Sequence, residues 1–117
     1  MLASYWQEGK NLDYTNSTNA KIPANTVIDM KAMVGVAGTD IEKSETGTVV
    51  VHGVFEMTKS GTAAIVQGQK VYFDGTGITD AADNGQTSTS KVEYTPAGYA
   101  ARAAADSDIK IPVKLLG

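Results

Sequence analysis

The segment from Thr46 to Asp74 constrains the fold more than any other part of this chain, because two strand patterns in it flank a connection of small residues. Its first part, Thr46–Thr58, alternates apolar and polar positions, which is typical of a strand with one buried face. The apolar positions on that face are Val49, Val51, Phe55 and Met57. The other face carries His52 and Glu56 among valines and threonines. We therefore predict one long strand over 46–58 whose second face is only partly covered.

Strand patterns recur on both sides of this segment, and the composition suits strands and tight turns. Gly contributes 12 of the 117 residues and aromatic residues only 7%, which disfavours a Leu-rich helical bundle. The predicted strands are Asn11–Thr15, Thr26–Met30 and Lys31–Ala37 (two strands or one bent strand), Lys70–Phe73, one starting at Ile78, and strands within Tyr94–Ala104 and Asp108–Leu116. We predict an all-β (mostly β) fold, a small barrel-like or sandwiched antiparallel sheet. One short helix is predicted over Ser60–Gly68, with Gly68 as its C-cap.

The connections between these strands are predicted from their turn-forming residues. Asn16–Asn19 should form a turn held by side-chain bonds to its own backbone, and Asp74–Gly75 is a hairpin turn signal. The segment Asp80–Ser90 has no apolar side chain larger than Ala, so we predict an exposed loop. That loop is either a neutral insertion or a tip that reaches a neighbouring subunit or the outside. Pro112 lacks the N–H of a ladder bond, which favours an edge position for its strand or an outward position for this residue.

Residues 1–10 are predicted to form an N-terminal arm, followed by a single β domain over 11–117. Terminal segments are commonly disordered unless a neighbour holds them. Tyr5 and Trp6 either cap the domain's own core or anchor the arm on a partner subunit or shell protein, since Trp and Tyr are enriched at interface anchors. The sequence leaves both alternatives open.

Charge and composition argue against several partners. The formal net charge is −3 and the 10 basic residues are scattered, whereas nucleic-acid binding needs a clustered basic surface. There is no cysteine, which excludes disulfides and thiolate metal sites. The first residues lack the basic start and apolar run of a secretory signal, and no stretch approaches the ~20 apolar residues of a membrane span. We expect neither nucleic acid nor a membrane as a partner.

The sequence offers no constellation for catalysis, a cofactor or a metal. His52 is the single histidine, so neither a typical zinc site nor a Ser-His-Asp triad is supported, and a surface or interface role is expected. Asp40, Glu42 and Glu45 lack the spacing of a calcium loop. The segment Gly53–Ser60 resembles a phosphate loop with one glycine replaced, but its apolar spacers indicate a strand. We predict that the protein is not an enzyme and binds no cofactor.

Several short motifs, in order along the chain, resemble the phage capsid cement family. They are Tyr5–Gly9, Val34–Ala37, Thr39–Ile41, Gly53–Glu56, Lys70–Asp74, Gly98–Ala100 and Ala103–Ala104. The matching segments run from Tyr5 to Leu115, which is nearly the whole chain. The family consists of small decoration proteins of tailed phages and prophages.

This resemblance implies a non-enzymatic structural protein that binds the outside of a phage or prophage head and stabilises the capsid lattice. Its partners would be the major capsid protein lattice and further copies of itself in a homotrimer. It would be made in the bacterial host cytoplasm and reside on the capsid surface of the virion. Our candidate interaction residues are Tyr5, Trp6, Gln7 and Glu8 in the arm, with His52 and Glu56 on the mixed face of the long strand.

An alternative function is a β-rich carbohydrate- or receptor-binding module on a virion or cell surface. The aromatic side chains that could stack on a sugar are Tyr5, Trp6, Tyr72 and Tyr99. A sugar site would need several of them exposed on one surface. We expect Tyr72 and Tyr99 to be at least half buried in strands, which argues against this alternative.

Overall fold

The computed structural model describes residues 1–116, which form two antiparallel β-sheets. The strands are β1 (Asn11–Thr15), β2 (Val27–Asp29), β3 (Val34–Ala37), β4 (Thr46–Val50), β5 (Val54–Thr58), β6 (Lys70–Phe73), β7 (Ile78–Thr79), β8 (Thr95–Ala100) and β9 (Lys110–Leu115). One sheet has the order β1-β4-β3-β2 and the other β5-β9-β8-β6-β7. The predicted all-β fold class is confirmed, and of the two architectures considered, a closed barrel is not formed.

Strand β3 joins the two sheets because it is buried on both faces. Val34 and Val36 belong to the larger hydrophobic core, which the five-stranded sheet covers, whereas Ala37 belongs to the smaller core of the four-stranded sheet. Successive side chains of a strand point to opposite faces, so four residues can supply both cores. The smaller core also contains Ile28, Ile41, Val49 and Val51.

The predicted long strand over 46–58 is wrong, since this segment forms two strands in different sheets. β4 ends at Val50 and β5 begins at Val54, and Gly53 between them has φ +114°, where a residue without a Cβ is favoured. β4 pairs with β1 and β3, whereas β5 pairs with β9. The alternation itself is real, because it marks buried positions in both halves: Val49, Val51 and Met57. The buried positions remain at odd-numbered residues on both sides of Gly53, so the alternating pattern could not reveal the kink there.

The predicted helix over Ser60–Gly68 is also wrong. Ile65 is the single buried residue of this segment, so a helix here would have no apolar stripe to pack. Instead, Ile65 and Ala104 exchange backbone hydrogen bonds of 2.9 and 2.8 Å. Gly68 has φ +83° in a turn and donates its N–H to the Ala100 carbonyl. The described residues contain no α-helix, and their one 3-10 turn covers Ser88–Ser90.

Strand β9 lies inside its sheet, between β5 and β8, so of the two predicted alternatives the edge position is wrong, whereas Pro112 does lie on the outward face, between Lys110 and Lys114. The alternation of β9 is as predicted, with three buried positions at Ile111, Val113 and Leu115. Pro112 is accommodated because its carbonyl accepts a bond from Ala101, just beyond the end of β8. The N and O atoms of one strand residue point to the same side. The missing N–H therefore removes no bond between β5 and β9.

The other strand predictions are confirmed, and so is the turn at Asn16–Asn19. In that turn the Asn16 side chain accepts a bond from the Thr18 N–H at 2.9 Å. Asn16 is fully buried and also donates to the carbonyls of Ala20 and Ile41, at 2.8 and 3.0 Å. It thereby ties two loops over the smaller core, a role that the sequence did not reveal.

Candidate interaction surface

The arm, residues 1–10, contains no strand and is exposed along its whole length. Tyr5 and Trp6 are 84% and 87% exposed, so neither side chain caps the core of its own domain in this structure. Gln7 Nε2 donates to the Asn11 carbonyl at 3.2 Å. The Lys10 carbonyl accepts a bond from the Val51 N–H at 2.9 Å. The arm therefore leaves the domain beside Val51 and presents two large aromatic side chains to solvent.

His52 and Glu56 are both exposed, but they lie on different elements. His52 lies in the connection between β4 and β5. It directly follows Val51, whose N–H bonds to Lys10 at the end of the arm. Glu56 lies in the middle of β5, with its Oε1 3.8 Å from Lys110 Nζ. The prediction that these two residues share one face of a single strand is wrong, because the chain turns at Gly53 between them.

Sequence reasoning missed a row of exposed side chains on the outer face of the five-stranded sheet. The register sets Val54 beside Lys114, Lys114 beside Tyr99, and Tyr99 beside Lys70. Val54 is 57% exposed and Tyr99 43%, and Lys70 Nζ lies 5.6 Å from the centre of the Tyr72 ring. The four residues come from four strands, so this row could be found only once the strand register was known.

A groove lies along the edge of β5 that faces away from β9. It consists of two adjoining depressions of about 400 and 170 Å³, which share Asn25, Val27, Glu56 and Met57. Three hydrophobic residues that pack against the larger core without being fully covered line it: Val27, Phe55 and Phe73. The groove is thus an opening into the larger core, between β5 and the start of β2, where these hydrophobic residues lie among polar ones.

The groove ends where β5 approaches β7. Ser60 donates its N–H to the Ile78 carbonyl at 2.8 Å. The Asp74 carboxylate fixes this end, since it accepts bonds from the Ser60 hydroxyl at 2.6 Å and from the N–H groups of Thr76 and Gly77, both at 2.9 Å. Partial burial would by itself raise the pKa of Asp74, but these hydrogen bonds outweigh it and lower the pKa below its ordinary value.

The family model for phage cement proteins matches residues 6–115 of this chain. The chain belongs to the phage cement protein family. No curated protein and no solved structure matches it. The family resemblance predicted from the short motifs is therefore confirmed, and the matched range contains Trp6, Gln7, Glu8, His52 and Glu56.

Membership of the phage cement protein family supports a structural role in a phage capsid and a location in the virion. A structural family is also consistent with the expectation that the protein is not an enzyme. In the part of the chain that the structure describes, no three His, Asp or Glu side chains are grouped to hold a metal ion. Over the same residues, no helix is long and apolar enough to cross a membrane.

One acidic residue of this cement protein, Asp40, makes contacts between two loops. Asp40 accepts a bond from the Ala24 N–H at 2.8 Å and lies 3.2 Å from Lys21 Nζ. Both partners lower the pKa of Asp40, and the same carboxylate raises the pKa of Lys21. The Asp40–Lys21 contact thus joins two exposed loops of the four-stranded sheet.

A second depression of this cement protein, of about 570 Å³, has charged residues in its lining. Its Asp29 carboxylate accepts bonds from the Thr95 hydroxyl at 2.6 Å and from the Lys31 N–H at 2.8 Å. Asp83 and Glu93 on its rim lie 3.8 and 3.6 Å from Lys91 Nζ. Two of its acidic groups thus have an ion-pair partner, and the groove, which exposes part of Val27, Phe55 and Phe73 of the larger core, gives more reason to expect a partner.

Proposed function

We propose that this phage cement protein binds the outside of an assembled head as a decoration protein, forms a trimer there, and stabilises the capsid lattice. The observation that carries the proposal is the family match over residues 6–115. The arm adds support, because its exposed Tyr5 and Trp6 are residues of the type that anchors interfaces. We retain Gln7, Glu8, His52 and Glu56 as further candidates for contact with the shell or a neighbouring copy.

The outer face of the five-stranded sheet is our candidate for the surface that lies against the shell. Lys70, Lys110 and Lys114 are exposed on this face, and Glu56 is its exposed acidic residue. This local positive excess contrasts with the net charge of −3 of the whole chain. A partner surface with an acidic patch would orient the protein by electrostatic complementarity.

The stabilising mechanism requires no chemistry. A protein that binds the assembled lattice but not its separated subunits stabilises the lattice by RT ln(1 + [L]/Kd), about 2.7 kcal/mol per site at a hundredfold excess over Kd. Many sites on one head multiply this free energy. In a trimer the second and third contacts become intramolecular after the first, which raises the apparent affinity further.

The test uses heads of the phage that encodes this chain, assembled without it. Purified protein should cosediment with these heads to saturation and raise the temperature at which they release DNA. The double variant Lys70→Glu and Lys114→Glu should bind more weakly than Lys31→Glu with Lys43→Glu, a control with the same charge change on exposed residues elsewhere. Failure of the unmodified protein to bind such heads would contradict the proposed function. Equal binding by the two double variants would show that the outer face of the five-stranded sheet does not contact the shell.

The carbohydrate- or receptor-binding alternative is supported less well. Tyr72 is half-buried, and the more exposed Tyr5 and Trp6 lie on the arm rather than beside Tyr99 in the sheet. Binding to immobilised glycans at concentrations that leave the heads uncoated would revive it.

A further inference from the structure

We propose that the groove along β5 receives the arm of a second copy of this chain, which adds a strand to the five-stranded sheet and places Trp6 over Val27 and Phe55. The inference deepens the trimer of the proposed function and rests on it. It assigns a docking site to the arm, and it identifies the occupant of an opening into the larger core.

The backbone of β5 has an edge available for such a strand. Gly53 and Lys59 flank β5, and both form backbone hydrogen bonds on the side of β9. Gly53 bonds to Leu115, the last residue of β9, and Lys59 bonds to Ile109, just before β9. Alternate residues of a strand bond to the same side, so Phe55 and Met57 also face β9. The N–H and C=O groups of Val54 and Glu56 consequently point toward the groove, where no strand of the described chain pairs with β5. An extended peptide adds to an edge of this kind through main-chain hydrogen bonds.

The arm and the groove are chemically complementary. The groove exposes part of Val27, Phe55 and Phe73, and an aromatic side chain can bury roughly 150–250 Å² of surface against such a floor. Tyr5 and Trp6 are adjacent, so in a strand their side chains point to opposite faces. With Trp6 in the groove, Tyr5 falls on the outer face beside the exposed Val54. One added strand would thereby cover three of the large hydrophobic side chains that the isolated chain exposes.

The exposure of the arm in the single chain points to the arm of a neighbouring copy, rather than of the same chain, as the occupant of the groove. The arm leaves the domain where the Lys10 carbonyl bonds to Val51. The Gly53 carbonyl is bonded to Leu115, so the side of β5 that faces β9 is already occupied. The groove lies on the other side of β5. No residue of the arm lines this groove, and the arm remains exposed in the single chain.

The length of the arm limits where the second copy can lie. Trp6 is four residues from Lys10, which corresponds to about 13–14 Å of extended chain. The groove of the neighbour must come within that distance of the Lys10–Val51 junction. Because an arm and a groove are different surfaces, the contact is heterologous, and such contacts form a closed ring when the rotation between copies allows it. A trimer is one such ring.

Trp6 is the only tryptophan of the chain, so its fluorescence reports the environment of the arm directly. The measurement is a dilution series of the purified full chain in which emission wavelength and solution mass are followed together. We expect the emission to move to shorter wavelength as the mass rises from one copy to the oligomer. Emission typical of exposed Trp at concentrations where the oligomer is complete would overturn the inference. A shifted emission that persists at monomer mass would place the arm in its own groove, which also overturns it.

The edge is tested with Glu56→Pro, which removes an N–H that faces the groove and leaves the β9 ladder intact. Its matched control is Glu56→Ala, which removes the side chain but keeps this N–H. We expect association to weaken about tenfold or more in Glu56→Pro relative to Glu56→Ala. Equal association of two folded variants would exclude β5 as the docking strand.

A cross-link keeps the inference testable if Glu56→Pro does not fold. The chain has no cysteine, so Gln7→Cys mixed with Glu56→Cys can form a mixed disulfide only between copies. We expect this pair to be linked on mild oxidation and the control pair of Gln7→Cys with Lys43→Cys to remain unlinked. Absence of a link in the first pair overturns the inference.

If Trp6 becomes buried only when heads are added, the shell is the occupant, and the inference fails while the proposed function stands. If the copies become linked but do not bind heads, the inference stands and the proposed function fails.

Discussion

β4 and β5 are consecutive strands of five residues each, yet their surroundings are opposite. β4 lies between two neighbours, and its Val49 is fully buried. β5 has one neighbour, an open edge, and a first residue, Val54, that is 57% exposed. Both segments show similar alternation in the sequence. The difference shows that alternation identifies an extended segment and its buried face, whereas the number of partner strands is decided by residues elsewhere in the chain.

The largest effect on this comparison should come from Gly98→Ala, in the sheet that contains β5. Gly98 has φ +149°, and a Cβ there would collide with the backbone carbonyl of Lys114 in β9. Backbone atoms paired in a ladder cannot move aside, so we expect a loss of about 3 kcal/mol or more in the free energy of unfolding, measured with denaturant. The matched change beside β4 is Gly35→Ala, whose Cβ would first meet the Val49 side chain. A larger loss for Gly35→Ala would show that the sheet of β4 is the less adaptable one.

A pair of valines tests the difference in burial between the two strands. Val49→Ala in β4 should lower the free energy of unfolding by about 2 kcal/mol, because it opens a cavity in the smaller core. Val54→Ala in β5 should lower it by less than about 0.5 kcal/mol, because that side chain is mainly in solvent. Both values come from denaturant titrations of the isolated chain below the concentration at which it associates. A substantial loss for Val54→Ala under those conditions would mean that the outer face is covered within one chain.

Acid should lower the free energy of unfolding by protonating Asp74, which fixes the end of the groove beside β5. Its pKa is lowered in the folded protein, so its contribution to stability is complete above the unfolded value near 3.8 and disappears as pH falls through the folded value. Since the side chain is only partly buried, we expect this contribution to be below about 1 kcal/mol. Denaturation at a series of pH values should show a shallower acid decline for Asp74→Asn than for the unmodified chain. Asp40→Asn, near the other sheet, is the matched comparison.

The smallest effect is expected for the ion pair between Glu56 and Lys110. Both side chains are more than half exposed, and their charged atoms are 3.8 Å apart. Exposed pairs of this type contribute little, so a double-mutant cycle with alanine should give a coupling free energy below about 0.5 kcal/mol. A clearly larger coupling would show that the middle of β5 is more constrained than its open edge suggests.

The fold class and most strands could be predicted from the sequence, since period-two patterns and turn residues act locally, whereas the family was recognised by the resemblance of short motifs. The break at Gly53 could not, because the buried positions continue in phase across it. Of the two alternatives for Pro112, the edge position of β9 was wrong, because the orientation of the Pro112 nitrogen depends on where β8 ends. The groove was also hidden, since Val27, Phe55 and Phe73 come from three strands of two sheets. By contrast, the aromatic residues of the arm were recognisable, because an exposed terminal segment with Tyr5 and Trp6 is unusual in itself.

The late partner of β5 also affects how the chain is made. β4 can pair with β1 and β3 as soon as residue 50 has left the ribosome, because both neighbours precede it. β5 must wait for β9, whose first residue is 52 positions after Thr58. At 5–20 residues per second, this interval lasts about 3–10 s. During this time both edges of β5 lack a partner, and unpaired edges promote aggregation between nascent chains. The charged Glu56 in the middle of this strand reduces that hazard before the sheet is complete.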